Sequence, residues 1–289
     1  MKQLIHNGIL FPKYEPRGFK VTVQGRPTVL TPQQEEMAIA WVKKLGTEYV
    51  EDPVFVKNFF GDFRKALGLG DRLEPKDFDF SEIVKYVEDE KAKKLEMGKD
   101  EKKRLAAERK TIREVNKAKY GQAIVDGGKV DLGNYMAEPS CIFMGRGKHP
   151  LRGRWKHGPS ESDVILNLSP DAPRPSGNWK EIVWQPDFMW IAKWDDKLRG
   201  EEKYVWLADS SSVKQKREIE KYDKAKTLNH KIDKLRAHIS ANLTGSDPKR
   251  RKIATVSYLI DALKFRVGDE KDKDEVDTVG ATTLRPEHI

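Results

Sequence analysis

Val164-Ile165-Leu166-Asn167-Leu168, Ile182-Val183-Trp184, Met189-Trp190-Ile191-Ala192-Lys193-Trp194 and Lys203-Tyr204-Val205-Trp206-Leu207 are the stretches that decide the fold class. Each is short and rich in β-branched and aromatic residues. Between them lie the turn signals Ser169-Pro170-Asp171 and Pro173-Arg174-Pro175-Ser176-Gly177. The pattern predicts strands in close succession, hence an antiparallel meander. The tryptophans within it suit core and cross-strand packing.

Upstream, Lys20-Val21-Thr22-Val23, the turn Gln24-Gly25-Arg26-Pro27 and Thr28-Val29-Leu30 read as a short hairpin. Thr31-Pro32-Gln33-Gln34 then sets out a capping hydroxyl, a proline at the first helical position and a glutamine three residues past the cap. A helix carrying Met37, Ala40, Trp41 and Leu45 should start there and end at Gly46. From about Ser81 to Tyr120 lysine, arginine and glutamate dominate, which predicts two long solvated helices joined at Gly98. Their charges suit pairing along an exposed helix, and the lysine excess also suits long-range contact with a phosphate backbone.

Downstream of Ser210-Ser211-Ser212, the residues Ile219, Tyr222, Ala225, Leu228, Ile232, Leu235 and Ile239 trace one apolar helical stripe. Asp247-Pro248 starts another helix, expected to turn Ile253, Val256, Leu259, Ile260 and Leu263 inward and to end near Gly268. The whole reads as α+β, with strands and long helices followed by a helical region. The tail from Asp269 to Asp277 reads as a charged loop, and Glu287-His288-Ile289 carries no terminal cap, as at a boundary inside a domain.

The 289 residues carry a formal charge of +9, and 35% of them are charged. A polyanionic partner is therefore the first to consider. The single cysteine, Cys141, excludes an intrachain disulfide and a cysteine-based zinc site. The N-terminus lacks the apolar core of a signal peptide, and no stretch has the length of a membrane span.

The densest cationic stretch is Phe143-Met144-Gly145-Arg146-Gly147-Lys148-His149-Pro150-Leu151-Arg152-Gly153-Arg154-Trp155-Lys156-His157, which contains no acidic residue. Glycine beside arginine lets backbone and forked donors approach a phosphate closely. A mobile surface loop would look the same. It is neither a Walker loop nor a dinucleotide fingerprint. His149 and His157 have no nearby carboxylate or thiol, so no metal site is expected. Arg266 follows Leu259, Ala262 and Leu263 by seven, four and three positions, which directs it along the packed face of its helix. Its partner there would be a carboxylate, the helix C-terminal carbonyls, or a phosphate in a groove.

In the same order along the chain, Tyr14-Glu15-Pro16, Lys57-Asn58-Phe59-Phe60 with Asp62-Phe63-Arg64-Lys65, Gly145-Arg146-Gly147-Lys148-His149-Pro150, Lys203-Tyr204, Arg266-Val267-Gly268-Asp269-Glu270-Lys271, Asp277-Thr278-Val279-Gly280 and Leu284-Arg285-Pro286-Glu287-His288-Ile289 resemble the core of the eukaryotic type IB DNA topoisomerases. The resemblance implies a clamp around double-stranded DNA, with a mixed cap lobe, a projecting pair of long charged helices and the first helices of a mainly α catalytic lobe. It implies core subdomain I at residues 1–17 and 99–211, subdomain II at 18–98, and the start of subdomain III at 212–289. It implies DNA contacts at Lys94, Arg146, Lys148, His149, Trp190, Lys203, Tyr204, Lys221, Asp269, Lys271 and Thr278, and a catalytic role for Arg266 at the scissile phosphate.

The family's reaction, metal-independent transesterification through a 3′-phosphotyrosyl link, implies no cofactor, and its usual setting is the nucleus. No Ser-Lys-x-x-Tyr segment occurs among the eight tyrosines. The nucleophile is thus expected on a missing C-terminal part or a separate small subunit, as in split protozoan enzymes, and this chain alone is expected to be inactive. Met144, Leu151 and Asp269 depart from the family, which commonly has arginine, lysine and asparagine there. The alternative is a non-catalytic nucleic-acid-binding or scaffold fragment using the same surface.

Overall fold

The computed structural model describes residues 1–70, 72–145, 147–268 and 279–285. They form two compact units, one made of 1–145 and 151–214, the other of the 147–150 loop with the chain from Gln215 onward. The first unit is α+β, with sheets, ribbons and helices, and the second is built on helices.

The first unit opens with strand β1 (Leu4–His6) and the hairpin β2 (Lys20–Val23) and β3 (Arg26–Val29). The turn is tighter than the sequence suggests: only Gln24 and Gly25 form it, both at positive φ (48° and 78°). Pro27 therefore lies inside β3, where it is tolerated because β3 is an edge strand. Helix α1 (Pro32–Val42) starts as expected. Thr31 Oγ1 accepts from Gln34 N, and the Gln34 side chain accepts from Thr31 N at 2.7 Å. The helix stops at Val42, and Gly46 instead takes a left-handed turn (φ 75°) in the segment that follows.

Helix α2 (Pro53–Ala66), capped by Asp52, places Phe55, Phe59, Phe60 and Phe63 on one face, each no more than 2% exposed. Trp41 of α1 stacks on Phe59 with centroids 4.6 Å apart. Strand β4 (Phe78–Asp79) joins β2, and helix α3 (Ser81–Glu96) contributes Ile83 and Val87 to the same core. Glu35 of α1 is fully buried and fastens the preceding segment to this core. Its carboxylate accepts from Tyr14 Oη and from the backbone N–H groups of Arg17, Gly18 and Phe19 at 2.5–2.9 Å. Burial pushes its pKa up, but these four bonds to the charged form outweigh that and hold it below the usual range.

Helix α4 (Lys99–Tyr120) follows Gly98 and buries none of its residues. Its side chains pair along the helix, as Arg104 does with Glu101 and Glu108. Strands β5 (Gln122–Val125) and β6 (Gly128–Asp131) form a hairpin through Asp126-Gly127, and β5 pairs with β1. A two-stranded ribbon, β7 (Cys141–Ile142) with β8 (Trp155–Lys156), frames the basic loop.

The four strands of the opening stretch are β9 (Ile165–Asn167), β10 (Glu181–Val183), β11 (Trp190–Asp195) and β12 (Glu202–Trp206), in the order β10-β9-β11-β12. They do not make a meander, because β10 runs parallel to β9 at the sheet edge. The connection through the two proline turns is long enough to return to the start of β9 before the chain pairs again, which a tight hairpin cannot do. The inner face joins Leu4, Val164, Leu166, Ile191, Trp194, Val205 and Leu207 in a second core. Two buried polar groups tie β1 to it. Ser169 Oγ accepts from Leu4 N at 2.5 Å, and His6 Nε2 donates to Asn167 O at 2.9 Å. Burial lowers the His6 pKa to about 4.

The helices α5 (Ser212–Asn229), α6 (Ile232–Leu243) and α7 (Pro248–Leu263) follow. Two sequence expectations fail here. The stripe is broken at His230-Lys231, and Ile219, Tyr222 and Leu228 are more than half exposed, as are Ile253 and Leu263 of α7. In addition, α7 ends at Leu263 because Lys264 takes the left-handed cap conformation (φ 59°), four residues before the glycine expected to do so. Helices α6 and α7 pack through Ile239 and Ala254, beside a two-bond Arg236–Asp261 pair at 2.8 and 3.0 Å. No helix among the described residues is long and apolar enough to cross a membrane.

Candidate nucleic-acid interface

The basic run keeps its positive residues but not its open charge. Gly153, at φ 83°, lets the loop pass against α2, where an added Cβ would lie 2.1 Å from the Phe55 carbonyl oxygen. That approach hands each cation in the second half of the run an acid from elsewhere in the chain. Arg152 meets Asp52 at 3.2 Å. Arg154 donates through Nε to Asp62 at 2.7 Å, and Lys156 lies between Glu138 and Asp196, at 2.5 and 2.8 Å. The Lys156 pKa is lowered by burial but raised more by these two carboxylates, so it stays charged within a structural pair. The expectation of a phosphate grip over the whole run is therefore corrected: Arg152, Arg154 and Lys156 serve largely to fasten the loop.

The first half of the run differs. Lys148 is exposed and His149 is 7% exposed, within a turn in which Gly145 and Gly147 both have positive φ. Arg146, Asp269, Lys271 and Thr278 lie outside the described residues. His157 is exposed, and its pKa is lowered by partial burial and by the Lys197 charge.

Strand β12 separates two expected contacts. Lys203 pairs in register with the core residue Trp194, whereas Tyr204 lies opposite Lys193 on the other face. Tyr204 tilts over Trp206 at 4.9 Å and lies 6.3 Å from Trp190. Its hydroxyl donates to Glu202, and that hydrogen bond, with burial and the Glu202 charge, raises its pKa. Trp190 is 2% exposed, so its ring is not presented at the surface. Lys203 pairs with Glu201 at 3.2 Å, and Lys193 with Glu202 at 2.6 Å. The structure thus gathers Trp190, Tyr204 and Lys193 on one face and sets Lys203 on the other.

Lys94 stands exposed in the last turn of α3, and Lys221 on α5 pairs with its helical neighbour Glu218 at 3.2 Å and lies over the Tyr222 ring. Arg266 lies beyond the end of α7, not on its packed face. It is exposed and forms no ion pair among the described residues. Its backbone is held firmly: Ala281 N donates to Arg266 O at 2.9 Å, and Thr282 N to Val267 O at 2.8 Å. Gly268 and Gly280 make this junction possible, since a Cβ on Gly280 would lie 2.2 Å from Gly268 Cα. Among the described residues Arg266 meets neither the carboxylate nor the carbonyl partner weighed for it. What the sequence hid were the acids: Asp52, Asp62, Glu138 and Asp196 carry no local signal of the cations they meet.

Such a chain, basic and α+β, with glycine-bearing cationic turns and an exposed arginine on a hydrogen-bonded backbone, has the character of a protein built to meet a polyanion. Residues 1–207 match the family described as "Eukaryotic DNA topoisomerase I, DNA binding fragment", and residues 210–289 match "Eukaryotic DNA topoisomerase I, catalytic core". The chain belongs to the eukaryotic DNA topoisomerase I family. It is 40% identical over 98% of its length to "DNA topoisomerase 1 beta" of Arabidopsis thaliana, covering 31% of that protein. It is 37% identical over 99% of its length to "DNA topoisomerase 1" of Candidozyma auris, covering 39% of that one. It is 34% identical over its whole length to the human "DNA topoisomerase I, mitochondrial", of which it spans 49%. The chain thus spans about a third to a half of these relatives.

Proposed function

We propose that the chain is the DNA-gripping part of a type IB topoisomerase core, acting in the nucleus on double-stranded DNA. The observation that carries this reading is the pair of consecutive family matches, DNA-binding fragment then catalytic core, which meet near the start of α5. The two apolar cores of the first unit support a further division. One draws mainly on residues 21–87, which fits a cap subdomain at 18–98, and also takes in Ile142 and Trp155 of the β7–β8 ribbon; the other draws on residues 4–9 and 123–207 and fits subdomain I at 1–17 and 99–211. Residues 212–289 then begin subdomain III, and α3 and α4, with few or no buried residues, fit the projecting charged pair.

In this reading Lys94, Arg146, Lys148, His149, Lys203, Tyr204, Lys221, Asp269, Lys271 and Thr278 meet the duplex, with Trp190 packing beneath Tyr204. Arg266 holds a non-bridging oxygen of the scissile phosphate. A tyrosine hydroxyl gives up its proton to solvent as its oxygen attacks that phosphorus, the bond to the 5′ oxygen breaks, and the 5′ oxygen takes up a proton. Resealing reverses each change, so the phosphoester energy is kept and no cofactor is needed. A guanidinium fixed by its backbone lowers the barrier by meeting charge as it builds on the phosphate. The tyrosine comes from further polypeptide, in the same or a separate chain. The exposed apolar residues of α5 and α7 support such a neighbour.

The test is relaxation of supercoiled plasmid by this chain alone and with the C-terminal remainder of a family member added. Relaxation restored only by the mixture is the expected result. Duplex binding by the chain that does not weaken with salt would overturn the reading, because phosphate contacts release counterions.

A further inference from the structure

A cleft of about 360 Å³ lies within the first unit, between α1, α2 and the strand β8. Its size is that of a small-ligand site. Met37, Trp155 and Leu198 give it apolar walls, and Lys65, Arg154 and His157 bring polar groups to it. Three features set it apart from a packing defect. Trp155 is 4% exposed, and its Nε1–H is a buried donor with no hydrogen-bond partner. Such a donor destabilises the fold while it stays unsatisfied. Lys65 is exposed and makes no ion pair among the described residues. Arg154 is anchored through Nε by Asp62, which leaves both Nη nitrogens without a partner among the described residues.

One oxygen of the acid in the cleft, Asp62, is already engaged: it accepts from both Arg154 Nε and Trp155 N, at 2.7 and 2.8 Å. The side chains that line the cleft thus bring three cations, Lys65, Arg154 and Lys197, to the one carboxylate of Asp62, with the unpartnered indole N–H buried beside them. We propose that this cleft binds a phosphate oxyanion, its oxygens on Lys65, Arg154 and the Trp155 indole, with the body of the ligand on Met37 and Leu198. A phosphate accepts from several donors at once, and arginine's fork matches its geometry. The phosphate comes either from a free small organic phosphate or from a nucleic-acid backbone.

The indole N–H is its own reporter. In a heteronuclear NMR titration of the full chain, with the resonance assigned through Trp155→Phe, deoxyadenosine monophosphate or a short DNA duplex should shift the Trp155 Nε1–H signal saturably. Lys65→Gln, at an exposed site, should weaken that response by about tenfold without moving the melting midpoint. A response to the monophosphate assigns a free ligand; a response to the duplex alone assigns the backbone. Three results would each overturn the proposal: no shift with either phosphate at millimolar concentration, an equal shift with uncharged deoxyadenosine, or wild-type affinity in Lys65→Gln. Neither Arg266 nor Lys148 lines the cleft, so such a failure would leave the topoisomerase reading standing.

Discussion

The phenylalanines of α2 and the apolar residues of α5 follow the same helical spacing and meet opposite fates. Phe55, Phe59, Phe60 and Phe63 are all but inaccessible, whereas Ile219 and Tyr222 are 61% and 62% exposed. Spacing defines a face and says nothing of what covers it. In the first unit the cover comes from Trp41, Phe78 and Phe80. In the second unit, only Ile239 and Ala254 of the apolar residues on α5 to α7 are buried.

The contrast can be broken by mutation. Phe59→Ala should cost about 3–5 kcal/mol in chemical denaturation of the chain, whereas Ile253→Ala should cost less than about 0.5 kcal/mol. Comparable losses at both sites would mean that α7 is packed after all. The next largest effect concerns His6. Its folded pKa of about 4 lies below the ordinary 6.5, so the unfolded chain binds the extra proton first. The stability from its neutral ring is complete above pH 6.5 and is lost as pH falls towards 4, by about 3 kcal/mol. His6→Gln should flatten the denaturation midpoint across that window, and an unchanged slope would refute the buried neutral imidazole.

Glu35→Gln keeps the shape but points an amide donor at backbone N–H groups, and should cost about 2–3 kcal/mol. Glu218→Gln, on the exposed face of α5, should leave the midpoint where it was. Only a small effect is expected at Arg236→Met, which removes an exposed pair between α6 and α7; a large loss there would show that the second unit depends on charge where it lacks a core.

Local chemistry made much of this legible. Thr31, Pro32 and Gln34 announced α1, Asp247-Pro248 announced α7, and Gly98 marked the break between α3 and α4, because caps and breakers act on their immediate neighbours. Long-range pairing stayed hidden. The parallel seat of β10 depends on where a loop returns, and Arg154 meets an aspartate 92 positions away. A run without a single acid therefore looked more open than it is. Arg266 was misplaced for a subtler reason: Lys264 accepted a left-handed conformation that sequence reading had reserved for Gly268. The candidate contacts at Arg146, Asp269, Lys271 and Thr278 were legible by resemblance alone.

The most direct measurement compares cleavage with binding in the complete enzyme carrying Arg266→Ala. Single-turnover cleavage of a duplex should slow by about 10²–10³-fold, while affinity for the uncleaved duplex should stay near that of the wild type. Equal losses in both would contradict a guanidinium that acts on the phosphate as its charge builds.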